Sequence, residues 1–161
     1  MFPFKLYRVD AKYVVATPNR IMSAEAIRCV LLADRHHGLS EGIRGLLESE
    51  FEAVVMVADE TSLIESAVKL MPRIVVADLA LASGESFGWL RRLLVRCPAA
   101  LVVVLSAHDD VTVRQAAFAA GAMGFVLKRE IATGLLPTID LVLAGKSPRA
   151  ADSEEGGPRS G

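Results

Sequence analysis

The chain has two cysteines, Cys29 and Cys97, among 161 residues, which is too few for a disulfide framework. Both adjoin apolar runs, a pattern expected of buried thiols in a reducing cytoplasm. It also lacks charge of one sign. The formal net value is −1, so nothing global draws it to nucleic acid or to an anionic membrane. No apolar run is of membrane length. The longest, Ala116 to Leu127, is interrupted by Gly121 and Gly124 and falls short of a span. The first residues lack the continuous apolar core and small-residue cleavage site of a secretory signal. A glycine-rich phosphate cradle is missing too. The loop Asp34-Arg35-His36-His37-Gly38 does not carry that pattern, which speaks against an unrelated flavodoxin-like nucleotide or flavin binder.

What is present is a set of short apolar runs, each ending in a polar group. Val30-Leu31-Leu32-Ala33 delivers Asp34, and Ile74-Val75-Val76-Ala77 delivers Asp78. Val102-Val103-Val104-Leu105 delivers Ser106, and Phe125-Val126-Leu127 delivers Lys128. Val54-Val55-Met56-Val57 is a further run of the same kind. Such β-branched runs read as parallel strands buried on both faces. Ligands of an open α/β sheet gather outside the carboxyl ends of its strands, so the four polar groups are expected in one pocket. A carboxylate nucleophile, a hydroxyl and an ammonium together suit reception of a phosphoryl group.

Amphipathic stretches separate the runs. The apolar faces read as Leu39, Ile43, Leu46 and Leu47; Ile64, Ala67, Val68 and Met71; and Phe87, Leu90 and Leu94. Val113, Ala116, Ala117 and Ala120 form the next, then Leu135, Leu136, Ile139 and Leu143. Pro137 fits the last helix if Thr133 caps it, because proline is tolerated in a first turn. Gly145 supplies its stop. Alternating strand and helix implies an α/β fold of three α/β/α layers around a five-stranded parallel sheet, joined by right-handed crossovers. The expected division is an N-terminal extension over 1–27, one domain over 28–146 and a disordered tail over 147–161, where Ser, Glu, Gly and Pro dominate. Within the extension Lys12 to Ala16 could form a short strand, and Met22 is the expected natural start.

Four segments together resemble the receiver domain of two-component response regulators. They are Leu32-Ala33-Asp34, Pro72 to Leu79, Leu105-Ser106-Ala107 and Gly121 to Lys128. The resemblance covers about residues 28–146, and His36 with Leu141 to Gly145 is most similar to receivers that precede a helix-turn-helix domain. It implies the flavodoxin-like (CheY-like) strand order 2-1-3-4-5. Asp78 would then be the phospho-acceptor, Lys128 would pair with phosphoryl oxygens, and Ser106 would turn its hydroxyl toward them. Ser106 and Phe125 would form the switch, Phe125 standing where an aromatic moves inward. The family's Mg2+ would rest on Asp34, Asp78 and the backbone of Ala80.

One departure bears on that metal. Receivers carry two consecutive acids after the first strand, and here the pair is Asp34-Arg35. Magnesium wants oxygen ligands, and an always-charged guanidinium both removes a carboxylate and repels the ion. Mg2+ binding is therefore expected to be weak or absent. Arg35 could instead face solvent, lock Asp78 in an ion pair, or replace the metal as the cation neutralising the phosphoryl group. Ala82 stands in place of a usual proline and Ser86 in place of a common glycine. His36 and His37 find no ligand partners at useful spacing, so no histidine metal site is expected.

The function implied is that of a single-domain, atypical response regulator in a phosphorelay, cytoplasmic and not an independent enzyme. Its partners would be a sensor histidine kinase or phosphotransfer protein and a downstream protein contacting residues 110–145, with a homodimer as a further option. No membrane and no direct nucleic-acid contact are expected. A phosphate-independent pseudo-receiver and a transcription regulator lacking its DNA-binding domain stay open as alternatives.

Overall fold

The computed structural model describes residues 5–9, 12–16, 29–82 and 87–146. Two antiparallel strands, β1 (Lys5–Val9) and β2 (Lys12–Ala16), form a hairpin in which Lys5 lies opposite Ala16 and Val9 opposite Lys12. The strand expected over Lys12 to Ala16 is therefore present. Met22, Ser86 and the segment 147–161 lie outside the described residues.

The main sheet is made of β3 (Cys29–Ala33), β4 (Ala53–Val57), β5 (Ile74–Asp78), β6 (Leu101–Ser106) and β7 (Gly124–Leu127). All its pairings are parallel and their spatial order is β4-β3-β5-β6-β7. Counted along this sheet alone, that is the order 2-1-3-4-5, as expected.

Strand alternation divides the core into two layers. Leu31, Ala33, Val75, Ala77, Val102 and Val104 pack against Leu63, Ala67, Trp89, Leu90 and Leu93. These come from α2 (Glu60–Leu70) and α3 (Gly88–Arg96), with Ala117 and Phe118 added from α4 (Val111–Ala119). On the other face, Val30, Leu32, Ile74, Val76, Val103 and Leu105 meet Ile43 and Leu47 of α1 (His37–Glu48) and Leu135, Ile139 and Val142 of α5 (Ile131–Leu143). All five residues of β5 are buried, including Asp78.

Several helix faces differ from the sequence reading. In α2 the buried side is Ser62, Leu63, Ser66 and Ala67, whereas Val68 and Met71 are exposed. In α4 Ala116 is exposed and Phe118 is buried in its place. In α1 Ser40 is buried and Leu39 is exposed. Thr133 does not cap α5, because the helix begins at Ile131 directly after a 3-10 turn, Lys128–Glu130. Pro137 thus lies inside the helix, where it lacks the N–H that would bond to the Thr133 carbonyl. Buried Leu135 and Ile139 on either side hold that segment against the sheet. Gly145 does end the helix, at φ +74°, with its N–H donating to the Val142 carbonyl at 3.1 Å.

Candidate functional site

Two carboxylates and one ammonium converge at the carboxyl edge of the sheet. Asp34 follows β3, where its backbone N–H still donates to the Val57 carbonyl of the neighbouring strand at 3.0 Å. Asp78 ends β5, the strand next to β3 on its other side. Lys128 begins the turn after β7, and its Nζ donates to Asp78 Oδ2 at 2.9 Å and lies 3.7 Å from Asp34 Oδ2. The two carboxylates are almost wholly buried, and like charges so placed are stable together only with a shared cation. Lys128 supplies it.

Asp34 also shapes the chain locally. Its Oδ1 accepts the backbone N–H of His36 at 2.8 Å, a tight side-chain-to-backbone turn that leads into α1. That turn brings the His36 ring over the pocket, with Nδ1 3.2 Å from Asp34 Oδ1 and 3.6 Å from Asp78 Oδ2. Asp34, His36 and Asp78 thereby form a cluster able to hold a metal ion. Along the sequence His36 has no ligand partners at useful spacing. The missing partner, Asp78, arrives from another strand, and the aspartate two residues before the histidine was the available signal.

Arg35 is exposed, and the groups beside Asp78 among the described residues are the Lys128 ammonium and the His36 imidazole. The ion pair of Arg35 with Asp78, one of the three options open for it, is not formed. Asp78 itself is only 2% exposed. The His36 side chain, 65% exposed, stands 3.6 Å from that carboxylate. The pocket is therefore more covered than its residues alone indicated.

The remaining expected site residues lie around these groups in different ways. The Ala80 N–H donates to Asp78 Oδ1 at 3.2 Å, so this backbone orients the carboxylate. Ala82 follows directly on the 3-10 turn Leu79–Leu81. Ser106 ends β6 but its hydroxyl is turned into its own loop. Its Oγ donates to the His108 carbonyl at 2.9 Å and accepts the His108 N–H at 3.1 Å. Phe125 is half-buried in β7, beside Val104 in register, and the Arg114 guanidinium stands 5.4 Å from its ring centroid. Arg114 and Arg129 both contact Asp109, at 3.2 and 3.3 Å, tying the start of α4 to the turn after β7.

A buried acidic cluster of this kind is what receivers use for Mg2+. Its donor chemistry here fits that ion poorly. Mg2+ demands near-octahedral oxygen ligation, yet the cluster joins two carboxylates to an imidazole nitrogen, and the position of the usual second acid is an exposed arginine. One buried oxygen, Asp34 Oδ2, nevertheless has no hydrogen-bond partner.

A family model described as the response regulator receiver domain matches residues 30–140. The transcriptional regulatory protein DegU of Brevibacillus brevis is 30% identical over 118 residues, which are 72% of this chain and 50% of DegU. A LuxR-family two-component response regulator from Aurantimonas sp. is 30% identical with a TM-score of 0.66, covering 79% of this chain and 96% of that structure. The non-phosphorylated receiver domain of RcsB from Escherichia coli is 26% identical with a TM-score of 0.65, over 74% and 95% of the two chains. This chain spans about half the length of its curated relative.

Proposed function

The chain belongs to the response regulator receiver family of two-component systems, and from that premise we propose that Asp78 is its phosphoryl acceptor. The observation that carries this reading is the Lys128 Nζ contact to Asp78 Oδ2 at 2.9 Å, made where Asp34 adds a second carboxylate. A carboxylate oxygen of Asp78 attacks the phosphorus of a phosphohistidine or small acyl phosphate. The new O–P bond forms as the bond to the donor breaks, and the donor keeps that electron pair, leaving as a histidine nitrogen that solvent can protonate or as a free carboxylate. Such transfers depend on positioning and charge neutralisation more than on covalent help. Lys128 supplies the charge, and the Ala80 N–H fixes the carboxylate. Ser106 contributes once its hydroxyl leaves the His108 backbone.

A sensor histidine kinase or phosphotransfer protein would be the donor. The output would pass through protein contacts over 110–145, where Val111 and Leu141 are exposed apolar residues. RcsB has been described in a complex with DNA, and a DNA-binding domain outside this chain belongs to the alternative of a transcription regulator. No described helix is long and apolar enough to cross a membrane, in keeping with the proposed cytoplasmic location. As a receiver, the chain is a signalling module and not an independent enzyme.

The burial of Asp78 beside His36 and Lys128 favours a second reading, a phosphate-independent interaction module. Intact mass after acetyl phosphate treatment separates the two. The acceptor reading expects one added phosphoryl group on the wild type and none on Asp78→Asn. An unmodified wild type points to the interaction module.

A further inference from the structure

We propose that Asp34, His36 and Asp78 form a site for a first-row transition ion of the Zn2+ and Co2+ class, with His36 Nδ1 as a ligand that Mg2+ would not use. The inference rests on the reading of this pocket as the receiver's functional centre and assigns its cation. Three observations carry it. The first is donor chemistry: imidazole suits zinc, iron and nickel, whereas Mg2+ takes oxygen. The second is spacing. Nδ1 lies 3.2 Å from Asp34 Oδ1 and 3.6 Å from Asp78 Oδ2. Ligands about 2.0–2.2 Å from one tetrahedral ion stand roughly 3.3–3.6 Å apart, so small side-chain shifts complete the shell. The third is Asp34 Oδ2, a buried oxygen on a fully buried side chain with no hydrogen-bond partner. Lys128 Nζ comes no nearer to it than 3.7 Å, and an ion bound by this carboxylate would compensate it more closely.

Local charge agrees. Asp34 and Asp78 with Lys128 leave one net negative charge in the pocket, which favours a cation there. The His36 side chain is largely exposed, so this ligand of the cluster is open to solvent while the two carboxylates are buried. Arg35, which stands where the usual Mg2+ ligand would be, faces solvent and leaves this N/O set as the best donors present among the described residues. Occupancy would draw Asp78 Oδ2 toward the ion and away from Lys128, coupling metal to the acceptor carboxylate.

The test is Co2+ and Mg2+ titration of the full chain, with no phosphodonor present, followed by visible absorption for Co2+ and calorimetry for both. Removing even an outer partner of a metal ligand costs 10- to 100-fold in affinity. His36→Ala is therefore expected to weaken Co2+ by at least about tenfold, change its absorption spectrum and leave Mg2+ binding as it was. Asp34→Asn should weaken both ions. Absence of Co2+ binding, or a Co2+ affinity and spectrum untouched by His36→Ala, overturns the proposal. Equal losses of Co2+ and Mg2+ overturn it as well. Circular dichroism of His36→Ala, a substitution at an exposed side chain, checks that the fold is retained. Phosphoryl uptake is scored separately by mass, so the failure of either idea leaves the other standing.

Discussion

Lys128 and Asp78, fifty positions apart in the chain, meet at 2.9 Å across the carboxyl edge of the sheet. The same ammonium lies 3.7 Å from Asp34. One cation thus serves two buried carboxylates.

Lys128→Ala leaves those carboxylates facing each other without their shared ammonium. Breaking a buried pair costs about 3–5 kcal/mol, and the partial exposure of Lys128 reduces this to roughly 2 kcal/mol. Denaturant unfolding should record that loss. Adding Asp78→Asn should restore more than half of it, because one charge is then gone. A double variant no more stable than Lys128→Ala alone would remove the shared-cation account.

Gly124→Ala tests the close approach of α5 to β7. A Cβ at Gly124 would stand 2.7 Å from Thr138 Cγ2 and 3.2 Å from Val103 Cγ2. Overpacking of this kind costs about 1–3 kcal/mol. Thr138→Ser removes the nearer methyl, so thermal melts should show a smaller penalty for Gly124→Ala in that background.

Arg35→Asp restores the missing second acid. Mg2+ affinity should rise by about tenfold, since a carboxylate ligand replaces a repelling guanidinium. Calorimetric titration reads it directly. An unchanged affinity would show that the exposed arginine is not what limits the metal.

The Cys29 thiol is pushed up to about 11 by burial, from an ordinary value of 9.0. Its thiolate is therefore scarcer in the folded protein than in the unfolded chain. Reaction with a thiol reagent at pH 8 should be slow in the native state and fast in denaturant. The sign for stability follows. The cost is absent below pH 9 and grows as pH rises toward 11, because only the unfolded thiol ionises in that window.

Much of this fold was legible because its strands are buried on both faces. Val30 to Ala33 and Ile74 to Ala77 are continuous apolar runs with no exposed side to confuse them. Asp34, Asp78 and Lys128 end such runs, so sheet topology alone brought them together. Helix faces were harder. Ser62 and Ser66 are small enough to be buried in α2, and apolar spacing therefore pointed to Val68 and Met71, which are exposed. Alanine marks neither side clearly, which let Ala116 stand in for Phe118. Pro137 obeyed packing over propensity, held by Leu135 and Ile139. His36 was hidden for another reason. Its place over Asp78 depends on a hydrogen bond to Asp34 and on a strand distant in sequence.

Borohydride reduction of protein treated with a phosphodonor, followed by peptide mapping, tests the acceptor role most directly. An acyl phosphate on an aspartate is reduced to homoserine, whereas free carboxylates are not. The account predicts homoserine at Asp78 and at no other aspartate, with none in Lys128→Ala beyond a trace. Homoserine at Asp34 or elsewhere, or none anywhere after exposure to both acetyl phosphate and a phosphohistidine donor, would contradict it.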